Sequence, residues 1–174
     1  MDEIEVKILD INKAEIISKL LELGAEKAFD GPVETMFYDT KNMDLRRLKK
    51  ILRLRRMGEK VFLTYKQKIS QEHVKIYDEE EVEVNDLETM QKMLENLGYQ
   101  KKKHIMKYRT SYALDGVKFE IDQFAGAYKF FPPFLEIEAA NKDIIYGWAE
   151  KLGFSKEDCT AKSTGDLIKE FMKK

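Results

Sequence analysis

Glu3-Ile4-Glu5-Val6-Lys7 alternates charged and apolar residues without a break. Because successive side chains of a β-strand point to opposite faces, the two carboxylates and the ammonium would share one face. Ile4 and Val6 would take the other. The same alternation recurs further along the chain, so the stretch predicts a sheet protein whose strands each carry one ionic face.

Reading outward from this stretch, the alternation predicts eight strands, and the segments between them predict four helices. The first helix begins at a capping pattern, Asn12-x-x-Glu15, and Asp115-Gly116 is a typical two-residue hairpin turn. The expected strands are 2–9, 33–40, 51–57, 60–68, 77–84, 101–113, 117–123 and 134–139, and the expected helices are 12–23, 86–97, 141–152 and 164–172. No linker divides the chain, so a single domain over residues 1–174 is expected.

One unit occurs three times: a Glu-x-Glu strand, an amphipathic helix and a closing Leu-Gly. It runs from Glu3 to Gly24, from Glu81 to Gly98 and from Glu136 to Gly153. The pattern indicates one kind of strand–helix corner used three times. The alternative is a coincidence, since Glu and Leu are abundant here and glycine commonly ends helices.

The composition limits the class of protein. Charged residues make up 36% of the chain, above the ~25% of typical domains, but 31 basic and 32 acidic residues leave a net charge of only -1. This balance argues against a nucleic-acid binder, which usually carries a basic excess. The one cysteine, Cys159, excludes an internal disulfide, and no apolar run approaches membrane-spanning length. A cytoplasmic protein without a membrane or nucleic-acid partner is expected, and a homodimer is compatible with the sequence.

The ionic strand faces meet either water or a pocket. Antiparallel sheets ordinarily show their polar face to water, and a purely structural sheet protein would do so. Here the faces are almost purely ionic, each is largely of one sign, and the helices need the apolar strand faces as a packing surface. We therefore expect an α+β fold: an eight-stranded antiparallel β-barrel, or tunnel, with flanking helices on the outside and ionic residues inside.

A lumen of mixed charge favours a ligand with two parts. Buried charges are costly unless they are paired or bound, and an eight-stranded barrel has room for one small ligand. An oligophosphate would satisfy the bases. Mg²⁺ or Mn²⁺ would satisfy the acids, because both cations prefer carboxylate and phosphate oxygens.

The charged residues, taken in order, resemble the CYTH superfamily, the triphosphate tunnel metalloenzymes. The resemblance covers most of the chain and is closest to the class IV (CyaB-like) adenylate cyclases. It is carried by Glu3-x-Glu5-x-Lys7, Arg53-x-Arg55, Lys66, the alternating Glu79, Glu81 and Glu83, Lys107-x-Arg109, Asp122 and Glu136-x-Glu138. One departure is Lys162-Ser163-Thr164, where relatives often carry Lys-Ser-Tyr.

The resemblance implies roles for these residues. Phosphate binding would fall to Lys7, Arg53, Arg55, Lys66, Lys107 and Arg109. Metal binding would fall to Glu3, Glu5, Glu81, Glu83, Asp122, Glu136 and Glu138. Lys7 and Glu5 are the candidates for proton transfer, and Lys68, Lys118 and Glu120 share the same strand faces by alternation.

The resemblance also implies a metal-dependent enzyme whose partner is a small triphosphate: ATP, tripolyphosphate or thiamine triphosphate. A class IV adenylate cyclase would convert ATP to cyclic AMP and pyrophosphate. A triphosphatase would hydrolyse inorganic tripolyphosphate, thiamine triphosphate or a nucleoside triphosphate. A non-catalytic binder of polyphosphates or nucleotides is the third hypothesis, because a fold does not fix a function.

Overall fold

The computed structural model describes residues 2–71 and 75–173, with side chains described within 4–69 and 78–173. This part of the chain contains nine strands and five α-helices, an α+β fold as predicted. The strands are β1 (Asp2–Leu9), β2 (Glu26–Asp39), β3 (Lys50–Met57), β4 (Lys60–Gln71), β5 (Lys75–Val84), β6 (Gln100–Leu114), β7 (Val117–Phe124), β8 (Phe134–Ala139) and β9 (Cys159–Thr160). The helices are α1 (Lys13–Glu22), α2 (Asp44–Arg47), α3 (Leu87–Asn96), α4 (Lys142–Leu152) and α5 (Thr164–Phe171). No helix in the described ranges is both long and apolar enough to cross a membrane.

β2 is longer than the alternation predicted, because it passes through Gly31 and Pro32. Its pairing with β3 begins only at Val33, so the preceding residues pair with β6 alone. Proline lacks a backbone N–H and is tolerated where a strand has no partner on that side. The turn-like Gly-Pro therefore lies within a strand and does not interrupt it.

Two short elements were not predicted. α2 lies inside the basic segment 41–50, and the buried carboxylate of Asp39 accepts the backbone N–H groups of Thr40, Leu45 and Arg46 there. β9 has two residues and pairs with β1. A strand of this length is too short to show alternation.

The described strands form one antiparallel sheet in the order β5-β4-β3-β2-β6-β7-β8-β1-β9. β1 also pairs with β5, from Asp2 opposite Asp78 to Glu5 opposite Lys75. The strands of the repeated unit, β5, β1 and β8, are thus neighbours. Each unit ends in a left-handed glycine, with φ of 89° at Gly24, 91° at Gly98 and 95° at Gly153.

Three helices cover the apolar strand faces. α1 and α4 pack on β1, β7 and β8 through Leu20, Ile145 and Trp148, which contact a cluster that includes Val6, Ile8, Phe119, Leu135 and Ile137. Leu94 of α3 packs in a second cluster with Met36, Leu54 and Val61 of β2, β3 and β4. This burial leaves the opposite, ionic strand faces turned away from these helices.

α5 departs from the expectation that the helices flank the outside. Its Leu167 and Ile168 pack against the ends of the ionic faces, where the residue type changes from charged to apolar. The strand residues in this cluster are Ile105, Phe124 and Phe134, which share alternation phase with Lys107, Asp122 and Glu136. α5 therefore lies beside the charged strand faces and forms part of the boundary of the region that they enclose.

Candidate functional site

The ionic strand faces surround a cavity of about 740 Å³. Among the charged lining residues that the structure describes, twelve basic side chains outnumber eight acidic ones. The bases are Lys7, Arg46, Lys50, Arg53, Arg55, Lys66, Lys102, Lys103, Lys107, Arg109, Lys118 and Lys169; the acids are Glu5, Asp39, Glu79, Glu81, Glu120, Glu136, Glu138 and Asp166. The excess of positive charge suits an anionic ligand.

The first group of ion pairs lies on β3, β4 and β5, here called the β3–β5 wall. Nη2 of Arg53 is 3.5 Å from both Glu79 Oε1 and Glu81 Oε2. Nη2 of Arg55 is 3.0 Å from Glu81 Oε2, and Lys66 pairs with Glu79. Cross-strand register explains these contacts, since Lys66 lies opposite Glu79.

The two guanidinium groups of this wall are incompletely satisfied. Nε of Arg53 and Nε of Arg55 are buried and have no hydrogen-bond partner among the described residues. Burial, followed by the nearby charge of Arg55, lowers the pKa of Arg53. Two buried donors and two crowded cations make this wall receptive to an anion.

The second group lies on β6, β7, β8 and β1, here called the β6–β1 wall, and is centred on Asp122. This carboxylate is 0% exposed and accepts two hydrogen bonds from Arg109, at 2.7 Å from Nε and 2.6 Å from Nη2. Nζ of Lys107 also donates to it at 2.5 Å. Burial and then the neighbouring Arg109 lower the pKa of Lys107. Asp122 thus fixes both cations while lying behind the cavity surface.

Arg109 also joins two carboxylates that line the cavity. It pairs with Glu120 and lies 3.0 Å from Glu136. Burial raises the pKa of Glu120 to about 6; Arg109 opposes this shift and Glu136 adds to it. Burial also raises the pKa of Glu136. The positive charges of Lys7, Lys107 and Arg109 outweigh this effect and hold the pKa of Glu136 well below its usual value. The two neighbouring carboxylates therefore titrate differently.

Lys7 is only 1% exposed and is held between two carboxylates of this wall. Its Nζ is 2.9 Å from Glu5 Oε1 and 2.6 Å from Glu136 Oε1. Burial alone would lower the pKa of Lys7, but the ion pairs with Glu136 and Glu5 are stronger and raise it. The ammonium is therefore charged at neutral pH.

Glu5 and Glu138 could hold a divalent cation, although in this structure Glu5 pairs with Lys7 and Glu138 pairs with Lys118. They lie opposite each other in the β1–β8 ladder and both line the cavity. The described residues contain no ready-made group of three His, Cys, Asp or Glu ligands. Mg²⁺, however, is commonly held by one or two carboxylates while water and substrate phosphate complete its shell. The oxygen donors present suit that mode of binding.

Most of the residues implied by the family resemblance line one cavity. Those brought together there are Glu5, Lys7, Arg53, Arg55, Lys66, Glu81, Lys107, Arg109, Glu136 and Glu138. Asp122 lies behind the lining. Glu83 does not line the cavity, because it lies near the end of β5 and pairs with exposed Lys60. The side chain of Glu3 falls outside the described residues.

The cavity is also lined by residues to which the family resemblance gives no role. Glu79 bridges Arg53 and Lys66, and its alternation with Glu81 was a usable signal. Ser163 and Thr164 reach the cavity at the start of α5. No local pattern in the sequence could have placed a C-terminal helix there, since its position depends on long-range packing.

The sequence and the fold of this chain are similar to those of known proteins. A Methanocaldococcus jannaschii protein named "putative adenylate cyclase" is 28% identical over 144 residues, 83% of this chain and 80% of the relative. The structure of a Pyrococcus horikoshii OT3 protein is 29% identical, has a TM-score of 0.78 and covers 95% of this chain and 99% of its own.

A more distant structure shares the fold alone. It is from Hippeastrum and is described as a "putative adenylyl cyclase" with a dominant triphosphatase activity, at 16% identity and a TM-score of 0.67, covering 97% of this chain and 96% of its own. The sequence pattern of the CYTH domain matches residues 1–162. With that match over most of its length, the chain belongs to the CYTH domain family.

Proposed function

We propose that this protein is a metal-dependent enzyme that binds a triphosphate between the β3–β5 wall and the β6–β1 wall. One observation carries the proposal: among the described residues, the buried Nε donors of Arg53 and Arg55 have no acceptor, and they lie beside a cavity whose described lining carries more basic than acidic side chains. A triphosphate offers oxygens to these donors, and its negative charge favours the cationic forms of Arg53 and Lys107, whose pKa values are lowered first by burial and then by a neighbouring arginine.

The proposal includes the shape of the site. β1 to β8 form the tunnel of a single domain, and the pairing of β1 with β5 supports this closure. Within it Arg53, Arg55 and Lys66 bind phosphate from one side. Lys7, Lys107 and Arg109 bind from the other. The single cysteine, Cys159, is compatible with a cytoplasmic enzyme.

Glu5 and Glu138, helped by Glu136 and Glu3, are the proposed metal residues. A bound Mg²⁺ or Mn²⁺ would neutralise phosphate charge and polarise the attacked phosphorus. Asp122 has another role, because it lies behind the cavity lining, where its oxygens contact Arg109 and Lys107. It positions these two cations.

The reaction favoured is that of a class IV adenylate cyclase. The ribose 3′-hydroxyl of ATP attacks the α-phosphate, a new O–P bond forms, and pyrophosphate leaves. Lys7 is held as a cation by its two carboxylates, so it stabilises phosphate charge and does not accept the proton. Glu5 is the proposed proton acceptor. The name of the 28% identical relative supports this choice.

A triphosphatase would use the same walls to hold the substrate while water attacks a phosphate. The Hippeastrum protein illustrates that this fold alone does not decide between the two reactions. Product analysis does. ATP, tripolyphosphate and thiamine triphosphate are each incubated with the protein and either Mg²⁺ or Mn²⁺. Cyclic AMP with pyrophosphate indicates the cyclase, and orthophosphate indicates the hydrolase.

Two arginines on the same strand provide a matched control. Arg55 lines the cavity, whereas neighbouring Arg56 points the other way and pairs with Glu34. Arg55→Gln is expected to reduce turnover on the order of a hundredfold, the cost of one strong charged contact to a transition state. Arg56→Gln should leave turnover unchanged. Equal activities of the two variants would contradict the proposed site, and tight binding without turnover would indicate a non-catalytic binder.

A further inference from the structure

A buried threonine lies at the centre of the β3–β5 wall. Thr64 of β4 lies opposite Arg53 of β3 on one side and opposite Glu81 of β5 on the other. Thr64 is 0% exposed and does not line the cavity, whereas Arg53 and Glu81 both line it. Thr64 is therefore placed to act on these two charged residues without contact with a ligand in the cavity.

The hydroxyl of Thr64 joins the two residues. Its Oγ1 donates a hydrogen bond of 2.7 Å to Oε2 of Glu81. The same oxygen accepts a hydrogen bond of 3.3 Å from Nη2 of Arg53. A hydroxyl can donate one hydrogen bond and accept two, so one buried oxygen serves both contacts at once.

The carboxylate oxygen that Thr64 holds also contacts both arginines of the wall. Oε2 of Glu81 lies 3.0 Å from Nη2 of Arg55 and 3.5 Å from Nη2 of Arg53. Hydrogen bonds to a carboxylate usually measure about 2.5–2.7 Å from a hydroxyl and about 2.7–2.9 Å from a cationic nitrogen. The contact with Thr64 has the usual length, and both contacts with the arginines are longer than usual. Thr64 thus holds Glu81 back from a close ion pair with either arginine.

Arg109 shows the closer contact that an arginine makes elsewhere in the cavity. Its Nε and Nη2 donate to the carboxylate of Asp122 at 2.7 and 2.6 Å, which is a close two-point ion pair. The contacts of Glu81 with the arginines of the β3–β5 wall are looser than this pair. A looser ion pair is the easier one for an incoming anion to open.

This arrangement keeps the two arginines available to an anion. A phosphate that binds Arg53 and Arg55 must displace Glu81 from them, and the displacement costs more when the ion pairs are stronger. Glu81 can give up its two longer contacts and keep the hydrogen bond from Thr64. Its charge then remains partly satisfied inside the wall while the phosphate takes its place on the arginines.

We propose that Thr64 is a positioning residue, whose hydroxyl holds Glu81 as a displaceable counter-ion of the two wall arginines and thereby sets the affinity of the cavity for phosphate. This inference rests on the proposed function, because the anion that displaces Glu81 is the triphosphate. It places Glu81 on the phosphate side of the cavity, as the anion that the substrate replaces.

The test is calorimetric titration of the full chain with inorganic tripolyphosphate. Thr64→Val keeps the shape of the side chain and removes the hydroxyl, so Glu81 is left to pair fully with the arginines. This variant should bind tripolyphosphate about tenfold more weakly, the effect of one lost hydrogen bond to a charged group. Thr64→Ser retains the hydroxyl and should bind tripolyphosphate as tightly as the wild type.

Thr110→Val is the matched control. Thr110 is also buried, and its hydroxyl donates to Oδ1 of Asp30 at 3.1 Å, but neither of these residues lines the cavity. The control should bind tripolyphosphate like the wild type. Urea denaturation tests whether both valine variants are folded. If Thr64→Val does not fold, Thr64→Cys places a thiol of similar size and weaker donor strength there, and it should also weaken binding.

A second background distinguishes positioning from packing. If Thr64 acts through the charge of Glu81, Thr64→Val should weaken binding much less in a protein that already carries Glu81→Gln. An equal loss in both backgrounds, no loss in Thr64→Val, or an equal loss in Thr110→Val overturns the inference, as does a loss in Thr64→Ser as large as that in Thr64→Val. In all of these cases the wild type still binds tripolyphosphate; if it does not, the proposed function fails as well.

Discussion

Asp122 illustrates how one carboxylate can organise a charged cavity without lining it. It is fully buried and joins Lys107 and Arg109. Removing its charge leaves two buried cations short of a partner, and breaking a buried ion pair in this way is costly. We expect Asp122→Asn to lower the free energy of unfolding by about 3 kcal/mol, measured by urea denaturation.

Glu83 provides the comparison for that measurement. It forms an exposed pair with Lys60, and such pairs contribute little. Glu83→Gln should change the free energy of unfolding by less than about 0.5 kcal/mol. If Asp122→Asn and Glu83→Gln lower the free energy of unfolding by similar amounts, the burial of Asp122 does not make its ion pairs more stabilising than an exposed pair.

Glu120 makes the stability dependent on pH. Its pKa rises from the usual 4.5 to about 6 in the folded protein, so the native state holds this proton more tightly than the unfolded chain. The proton stabilises the fold fully below pH 4.5, and that stabilisation is lost as pH rises through 6. Above pH 6 the buried carboxylate of Glu120 is ionised and lowers the free energy of unfolding.

Glu120→Gln removes the titration, and the expected result is a change in the variant's stability relative to the wild type. The free energy of unfolding of the variant minus that of the wild type should increase by about 2 kcal/mol between about pH 4 and about pH 7. Urea denaturation at both pH values measures it. A difference that is the same at the two pH values would contradict the assigned pKa.

At this scale the sequence predicted which face of a strand each charged residue occupies, but not how deep it lies. Glu81 and Glu83 share alternation phase, yet only Glu81 reaches the cavity. Glu120 and Asp122 share phase as well, yet Asp122 lies behind the lining. Depth depends on cross-strand register and on where the strands end, which involve distant parts of the chain.

At the scale of elements, α5 is the helix whose loss would change the site most directly. Ser163 caps it by accepting the backbone N–H of Asp166, and both residues line the cavity. Ser163→Ala should weaken this helix by about 1 kcal/mol. Amide hydrogen exchange in α5 should then be about fivefold faster, because local opening becomes easier.

The cap of α1 provides the control. Asn12 accepts the backbone N–H of Glu15 in the same manner, but α1 packs on an apolar face away from the cavity. Asn12→Ala should accelerate exchange in α1 and leave α5 unchanged. Faster exchange in both helices with either variant would indicate that the two helices open together.

The elements were largely predictable because the alternation and the helix caps are local signals. Strands 51–57, 117–123 and 134–139 agree with β3, β7 and β8 to within a residue at each end. The passage of β2 through Pro32 and the packing of α5 on the cavity were not predictable. Both depend on which neighbour is present in space, and a single segment carries no information about that.

For the whole molecule, a ligand held by both walls should raise the stability of the fold. Tripolyphosphate with Mg²⁺ at a hundred times its dissociation constant adds about 2.7 kcal/mol, or roughly 5–10 °C in Tm for a chain of this size. Differential scanning calorimetry measures the shift. Arg55→Gln should largely abolish it, whereas Arg56→Gln should retain it; an identical shift in both variants would place the ligand elsewhere.

β1 carries Glu5 and Lys7 but finds its partners far along the chain. Its backbone pairs with residues 75–78 of β5 and with all of β8, at residues 134–139. Contacts between such distant segments form slowly, and during synthesis an N-terminal strand waits for its partners to emerge. The first strand to be made is therefore among the last to be paired. Until residue 139 has been made, β1 lacks part of its pairing, so the cavity face that carries Glu5 and Lys7 is completed only late in synthesis.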